Sequence, residues 1–165
     1  MANEHDGIVY GLHQFSFANE VIGLISDDSI DWGGDDRSTN KVWAAQKRNA
    51  PVKEITSTPG TNELTCDLIE LKPAELKKVL GGTVDASGKK WSAPSALIVK
   101  EGPAEIITAD GAKISIAKAS LVAKPQGKFG YDDVFKIHIT ISILAPDGDI
   151  APYEIDYGAD EAVEG

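Results

Sequence analysis

The side chains able to do acid–base, nucleophilic or metal chemistry are few and scattered. His5, His13 and His138 are the only histidines, and no two stand at the HxH or HxxxH spacing that brings two imidazoles onto one metal ion. Cys66 is the single cysteine, which excludes an intramolecular disulfide and a multi-cysteine zinc site. Within Leu64-Thr65-Cys66-Asp67-Leu68 it falls on the apolar side of an alternating run, the place of a small buried hydrophobe. Asp27, Asp28, Asp31, Asp35 and Asp36 would offer hard oxygens to calcium. Their segment lacks the mid-loop glycine and terminal bidentate glutamate in the register of an EF-hand, so it reads as a solvated acidic loop. No G-x-S-x-G elbow, P-loop or dinucleotide fingerprint occurs. Gly33-Gly34 and Gly81-Gly82 fit a loop and a helix stop. These residues predict a protein that is not an enzyme and uses no cofactor or metal.

Length and charge narrow the alternatives. At 165 residues and 42% hydrophobic content, the chain suits one domain with a proper core and needs no covalent staples. Its formal charge of −10, from 26 acidic and 16 basic residues, repels nucleic-acid phosphates and anionic membrane surfaces. The same charge suits a passive channel through which nucleic acid slides without sticking. The N-terminal MANEHDGIVYGLHQF lacks the basic and apolar regions of a secretory signal, and no run approaches the ~18 apolar residues of a membrane span. The expected compartment is cytoplasmic unless an assembly carries the chain out.

The elements that would position a site are mostly strands. Residues 1–8 and 156–165 read as flexible ends. Val21–Ile25 reads as a short strand, and residues 26–40, polar and glycine-rich, as a long extended loop. Val42–Asn49 is a helical turn or a continuation of that arm, stopped by Pro51. Val52–Thr56 and Glu63–Leu71 look like a hairpin across the turn Thr58–Asn62. Pro73–Gly81 is the one clear helix, with proline in its first turn and Leu76, Val79 and Leu80 on one stripe. Ser95–Glu101 and Ala104–Thr108 flank an expected turn at Gly102-Pro103. Asp110-Gly111 signals a hairpin into Lys113–Ala117, and Pro125–Tyr131 reads as a connection. In Val134–Leu144, Phe135, Ile137, Ile139, Ile141 and Ile143 alternate with Lys136, His138, Thr140 and Ser142, so one face buries and the other meets water or a polar partner. Tyr153–Ile155 is a last short strand.

Three tryptophans, Trp32, Trp43 and Trp91, fall in loops or at strand edges. Each can cap the core, or anchor a partner, since tryptophan is enriched where interfaces bury an anchor. Trp32 and Trp43 bracket the long polar loop, which points to that loop as a contact surface.

The order of elements resembles that of the tail tube proteins of long-tailed bacteriophages and contractile injection particles, a fold shared with the tube protein of type VI secretion systems. The features that carry the resemblance are a short strand, the extended loop Ile30–Asn49, a hairpin, the helix Pro73–Gly81 and a series of strands ending in Phe135–Leu144. It covers nearly the whole chain and is one of layout. It implies a mainly β fold, a β-sandwich or barrel with one flanking α-helix and a long extended loop. It further implies stacked rings, six subunits each, whose inner strands join around a channel for DNA or effectors. Such closure removes exposed strand edges. On this reading Trp32, Lys41 and Trp43 of the loop and Lys136, His138 and Thr140 of the long strand are the subunit-contact residues. Partners would be further copies of the chain, with sheath, tape-measure and baseplate proteins, and DNA only as cargo. The location would be a virion tail assembled in the host cytoplasm. The rivals are another tail component, such as a terminator or baseplate protein, and a small-ligand- or carbohydrate-binding β-sandwich module.

Overall fold

A computed structural model describes residues 6–27 and 29–157. The described residues are mainly β, with antiparallel sheets and one helix. In order it forms β1 (Gln14–Phe17), β2 (Glu20–Val21), β3 (Asp31–Gly33), β4 (Ser38–Val42), β5 (Lys53–Thr58), β6 (Glu63–Leu68), α1 (Pro73–Leu80), β7 (Thr83–Val84), β8 (Trp91–Ser92), β9 (Lys100–Ile107), β10 (Lys113–Gln126), β11 (Lys136–Ile143) and β12 (Tyr153–Asp156). The main sheet runs β2-β1-β9-β10-β11-β6-β3, with β12 also paired to β10. Residues 1–5 and 158–165, within the two ends read as flexible, and Asp28 of the acidic run lie outside the described residues.

Alternation along the strands decides what fills the interior. Ile137, Ile139 and Ile141 of β11, Leu64, Cys66 and Leu68 of β6, Leu121 and Ala123 of β10 and Phe15 and Phe17 of β1 are buried in one cluster. Strands far apart in the sheet order thus share one core, so the sheet is rolled around it. Val79 of α1 joins the cluster, with Leu76 and Leu80 packed against it, as the apolar stripe predicts. An eight-residue helix is marginal alone, and its C-terminal end is held from outside. Lys100 Nζ donates to the carbonyls of Lys77 and Lys78, at 3.0 and 2.7 Å, a cation placed against the negative end of the helix. The Trp91 indole N–H donates to Gly81 O at 2.8 Å.

The roll is closed by a segment that is not a regular strand. Residues 20–26 leave β1, with Ile22 N–H donating to Phe15 O, and arrive at β6, where Ser26 N–H donates to Asp67 O and Ile69 N–H to Leu24 O. Between these points side chains replace the ladder. Gly23 N–H donates to Glu75 Oε2 at 2.9 Å and Leu24 N–H to Glu70 Oε2 at 3.0 Å. This corrects the strand expected over Val21–Ile25: Val21 belongs to β2, and Ile25 makes a single bridge to Leu68. A Cβ on Gly23 would stand 2.8 Å from the Glu70 oxygen and 3.2 Å from Glu75 Cγ, so a side chain there would displace the carboxylates from these bonds.

Four further expectations are corrected. Residues 26–40 are not all loop: β3 pairs with β6, and β4 with β5. The hairpin expected across Thr58–Asn62 does not form, because β5 folds back on β4 while β6 joins β11 and β3. The turn marks the point where the chain leaves one sheet for another. Gly102-Pro103 is not a turn but part of β9. Pro103 O accepts the Ala18 N–H, so its backbone faces β1 just past the last paired residue, Phe17 opposite Ala104, where its missing N–H costs no ladder bond. Pro125 likewise continues β10, opposite Ile137 of β11; β9 pairs with β10 only as far as Leu121, which leaves the proline a free edge.

Candidate functional site

The residues capable of chemistry do not converge. Among the described residues no three His, Cys, Asp or Glu side chains are grouped to hold a metal ion. Cys66 is buried, and desolvation followed by the neighbouring Asp67 charge pushes its thiol from 9.0 up to about 12, so it is a poor nucleophile. His13 is exposed and His5 lies outside the described residues. His138 Nδ1 lies 2.8 Å from Asp67 Oδ1 on the polar face of the β11–β6 pair. Lys136 approaches the other oxygen of Asp67 at 3.8 Å and Asp133 at 3.6 Å. The groups on this face that follow His138 along β11 and its neighbour are Thr140, Ser142, Thr65 and Glu63. Asp67 escaped the sequence reading because its pairing with His138 depends on a register between strands 71 residues apart.

The six residues singled out as contact candidates fall in three places. Lys136, His138 and Thr140 stand together on the half-buried outer face of β11. Trp32 is half-buried on β3, packed against the core cluster. Its ring meets Tyr153 edge-on at 5.1 Å, and its indole N–H donates to Asn62 Oδ1 at 3.2 Å. Lys41 and Trp43 lie elsewhere, Lys41 on β4 and Trp43 just beyond it, both exposed.

Lys41 and Trp43 belong to a two-stranded ribbon, β4–β5, whose register pairs Val42 with Lys53 and Lys41 with Glu54. Every residue of β5 is exposed, and all of β4 except Thr39. Because both faces meet water, the ribbon shows no period-2 apolar pattern and reads in the sequence as loop. Five to six residues at ~3.3 Å each give the paired part a length of ~18 Å. Its root is tied to the body where Thr61 N–H donates to Asp35 O and Asp35 N–H to Thr61 Oγ1, at 2.9 and 3.0 Å. Gly34 makes that root possible. It has φ +127°, and a Cβ would lie 2.1 Å from Thr61 O.

Charge separates the ribbon from the rest. Residues 37–58 hold five cations (Arg37, Lys41, Lys47, Arg48, Lys53) and one anion, Glu54. With 16 basic and 26 acidic residues in the chain, the remainder holds 11 and 25, so a ribbon of net +4 is attached to a body of net −14. Val42, Trp43, Val52 and Ile55 add exposed apolar surface to the ribbon.

The second feature is a cleft of about 850 Å³ between residues 9–15, the closing segment 21–27 and residues 30–32, with Leu64, Ile106 and Ile114 among its deeper lining residues. Its lining carboxylates are Asp27, Asp31 and Glu70, with His13 and with no lysine or arginine. The Leu24 N–H, then the Lys72 ammonium, hold the Glu70 carboxyl below its ordinary 4.5. Val9, Tyr10, Val21 and Leu24 on its rim are exposed.

No helix among the described residues is long and apolar enough to cross a membrane. No protein-family model matches this chain, and no curated protein matches it.

Proposed function

We propose that the chain is a structural subunit that assembles with copies of itself into stacked rings, six subunits each, forming the inner tube of a phage tail or tail-like injection particle. Such a tube is a channel for DNA or effectors. The observation that carries this reading is the ribbon Ser38–Thr58. An isolated two-stranded ribbon is marginal in water, and this one exposes apolar side chains on a positively charged arm attached to a negatively charged body. Contact with the acidic body of another copy would satisfy both. Lys41 and Trp43 then act between rings, while Lys136, His138 and Thr140 offer a polar strand face for contacts within one. Trp32 supports the arm from its root. Sheath, tape-measure and baseplate proteins are the further partners this reading expects, and its place is the virion tail, assembled in the host cytoplasm. The acidic body leaves DNA the role of cargo.

A second reading, a small-ligand- or carbohydrate-binding module, takes its support from the cleft, whose volume and apolar lining are those of a ligand pocket. Electron microscopy of negatively stained protein over a concentration series separates the two. The tube reading expects rings or tubes with a central hole. The ligand-binding reading expects a monomer at every concentration.

A further inference from the structure

We infer that the acidic-rimmed cleft is the seat for the tip of the ribbon arm of a second copy. The inference rests on the assembly reading and adds to it the acceptor site. The tip, Lys41–Lys53, carries Lys41, Lys47, Arg48 and Lys53 and no carboxylate. The cleft carries Asp27 and Asp31, with Glu70 already paired to Lys72 at 3.1 Å, and neither lysine nor arginine lines it. The apolar halves match as well. Val42, Trp43 and Val52 are exposed on the arm, and the cleft is lined mainly by aliphatic and aromatic side chains.

The arm cannot satisfy its charge on its own strands, because Glu54 is the one carboxylate among residues 37–58. A buried aromatic anchor carries much of an interface's energy, and complementary charge around it steers and orients the partner. The competing occupant of a basic ribbon is a nucleic-acid duplex. The cleft argues for a protein occupant, since a duplex would leave its apolar rim uncovered and would be repelled by the net −14 body.

The test uses full-length protein carrying charge reversals at exposed positions: Asp27→Lys with Asp31→Lys on the cleft, and Lys47→Glu with Arg48→Glu on the arm. Light scattering and sedimentation velocity give the concentration for half-assembly. Each reversal alone is expected to raise it at least about tenfold, the effect of ~1.4 kcal/mol per contact. The two reversed proteins mixed with each other, or combined in one chain, are expected to recover assembly. If a reversal prevents folding, a cysteine pair replaces it, with Gln46→Cys in one copy and Asp27→Cys in another. Cys66 is buried and does not compete. A disulfide-linked dimer in the mixture, above that of either protein alone, supports the docking, and its absence overturns it. Wild-type protein that assembles while the cleft reversal assembles equally well overturns this inference and leaves the tube reading standing. Wild-type protein that stays monomeric overturns both. Retardation of a short DNA duplex by wild type but not by the arm reversal assigns the arm to nucleic acid and overturns the docking.

Discussion

Replacing Glu75 with alanine should open the roll at one place. Glu75 Oε2 accepts the Gly23 N–H at 2.9 Å, and Oε1 stands 3.0 Å from Lys78 Nζ, with the carboxylate side chain 15% and the lysine 27% exposed. Lys78 Nζ also donates to Val21 O at 2.9 Å, so one Glu–Lys pair holds both ends of the Val21–Gly23 stretch. A hydrogen bond to a charged group contributes roughly 1.5–3 kcal/mol, and an ion pair that still meets solvent adds less than ~1 kcal/mol. Glu75→Ala should therefore cost roughly 2–3 kcal/mol, a fall in Tm of about 4–12 °C for a chain of this size. Glu75→Gln keeps an acceptor for Gly23 and should lose about half as much. Thermal unfolding followed by far-ultraviolet circular dichroism gives the global figure. Amide hydrogen exchange gives the local one: the Gly23 amide should exchange about 30-fold faster, the equivalent of ~2 kcal/mol. A Tm within about 1 °C of wild type, with Gly23 protection unchanged, would refute closure by carboxylates.

The other expectations are simpler. Ile139→Ala, at a fully buried site in the middle of β11, should cost roughly 2–5 kcal/mol in urea unfolding with an unchanged m-value, whereas Ile155→Ala, 45% exposed, should stay within about 0.5 kcal/mol; equal costs would contradict the core assignment. Glu70 has its carboxyl held low by the Leu24 N–H and then Lys72. Its contribution is present above pH 4.5 and is lost as pH falls through its folded value, so Glu70→Gln should flatten the acid limb of a stability–pH curve. Cys66 shows the opposite sign. Its thiol is raised from 9.0 to about 12, so the folded state retains the proton and stability falls as pH rises between these values, a fall that Cys66→Ala should reduce. A thiol reagent at pH 8 should modify Cys66 only on unfolding; rapid labelling of native protein would contradict its burial.

How much could be read in advance depended on whether a segment's partner is local. In β11 the alternation of Ile137, Ile139 and Ile141 with Lys136, His138 and Thr140 identifies the buried face without knowledge of the neighbours, and burial follows it. The helix and the Asp110-Gly111 reversal are equally local, the latter fixed by Thr108 N–H donating to Ala112 O and Gly111 N–H to Thr108 O. The ribbon was hidden because a strand solvated on both faces has no apolar period. The hairpin assigned across Thr58–Asn62 failed for a related reason: turn residues mark a reversal but do not say which strands pair beyond it. The cleft and the carboxylate closure join Gly23 and Leu24 to Glu75 and Glu70, 52 and 46 residues away, and no short-range pattern encodes such contacts. Pro103 and Pro125 read as breaks because their tolerance rests on where β1 and β9 stop pairing, which is set by other strands.

Assembly of the unmodified chain tests the central claim most directly. Light scattering over a concentration series, with negatively stained images of the same samples, should show a cooperative rise in mass accompanied by rings or tubes with a central hole. Raising the salt concentration should shift that rise to higher protein concentration, because the arm and body attract through opposite charge. A monodisperse 17.5 kDa species at every concentration and salt would contradict the assignment and return the cleft to the ligand-binding reading.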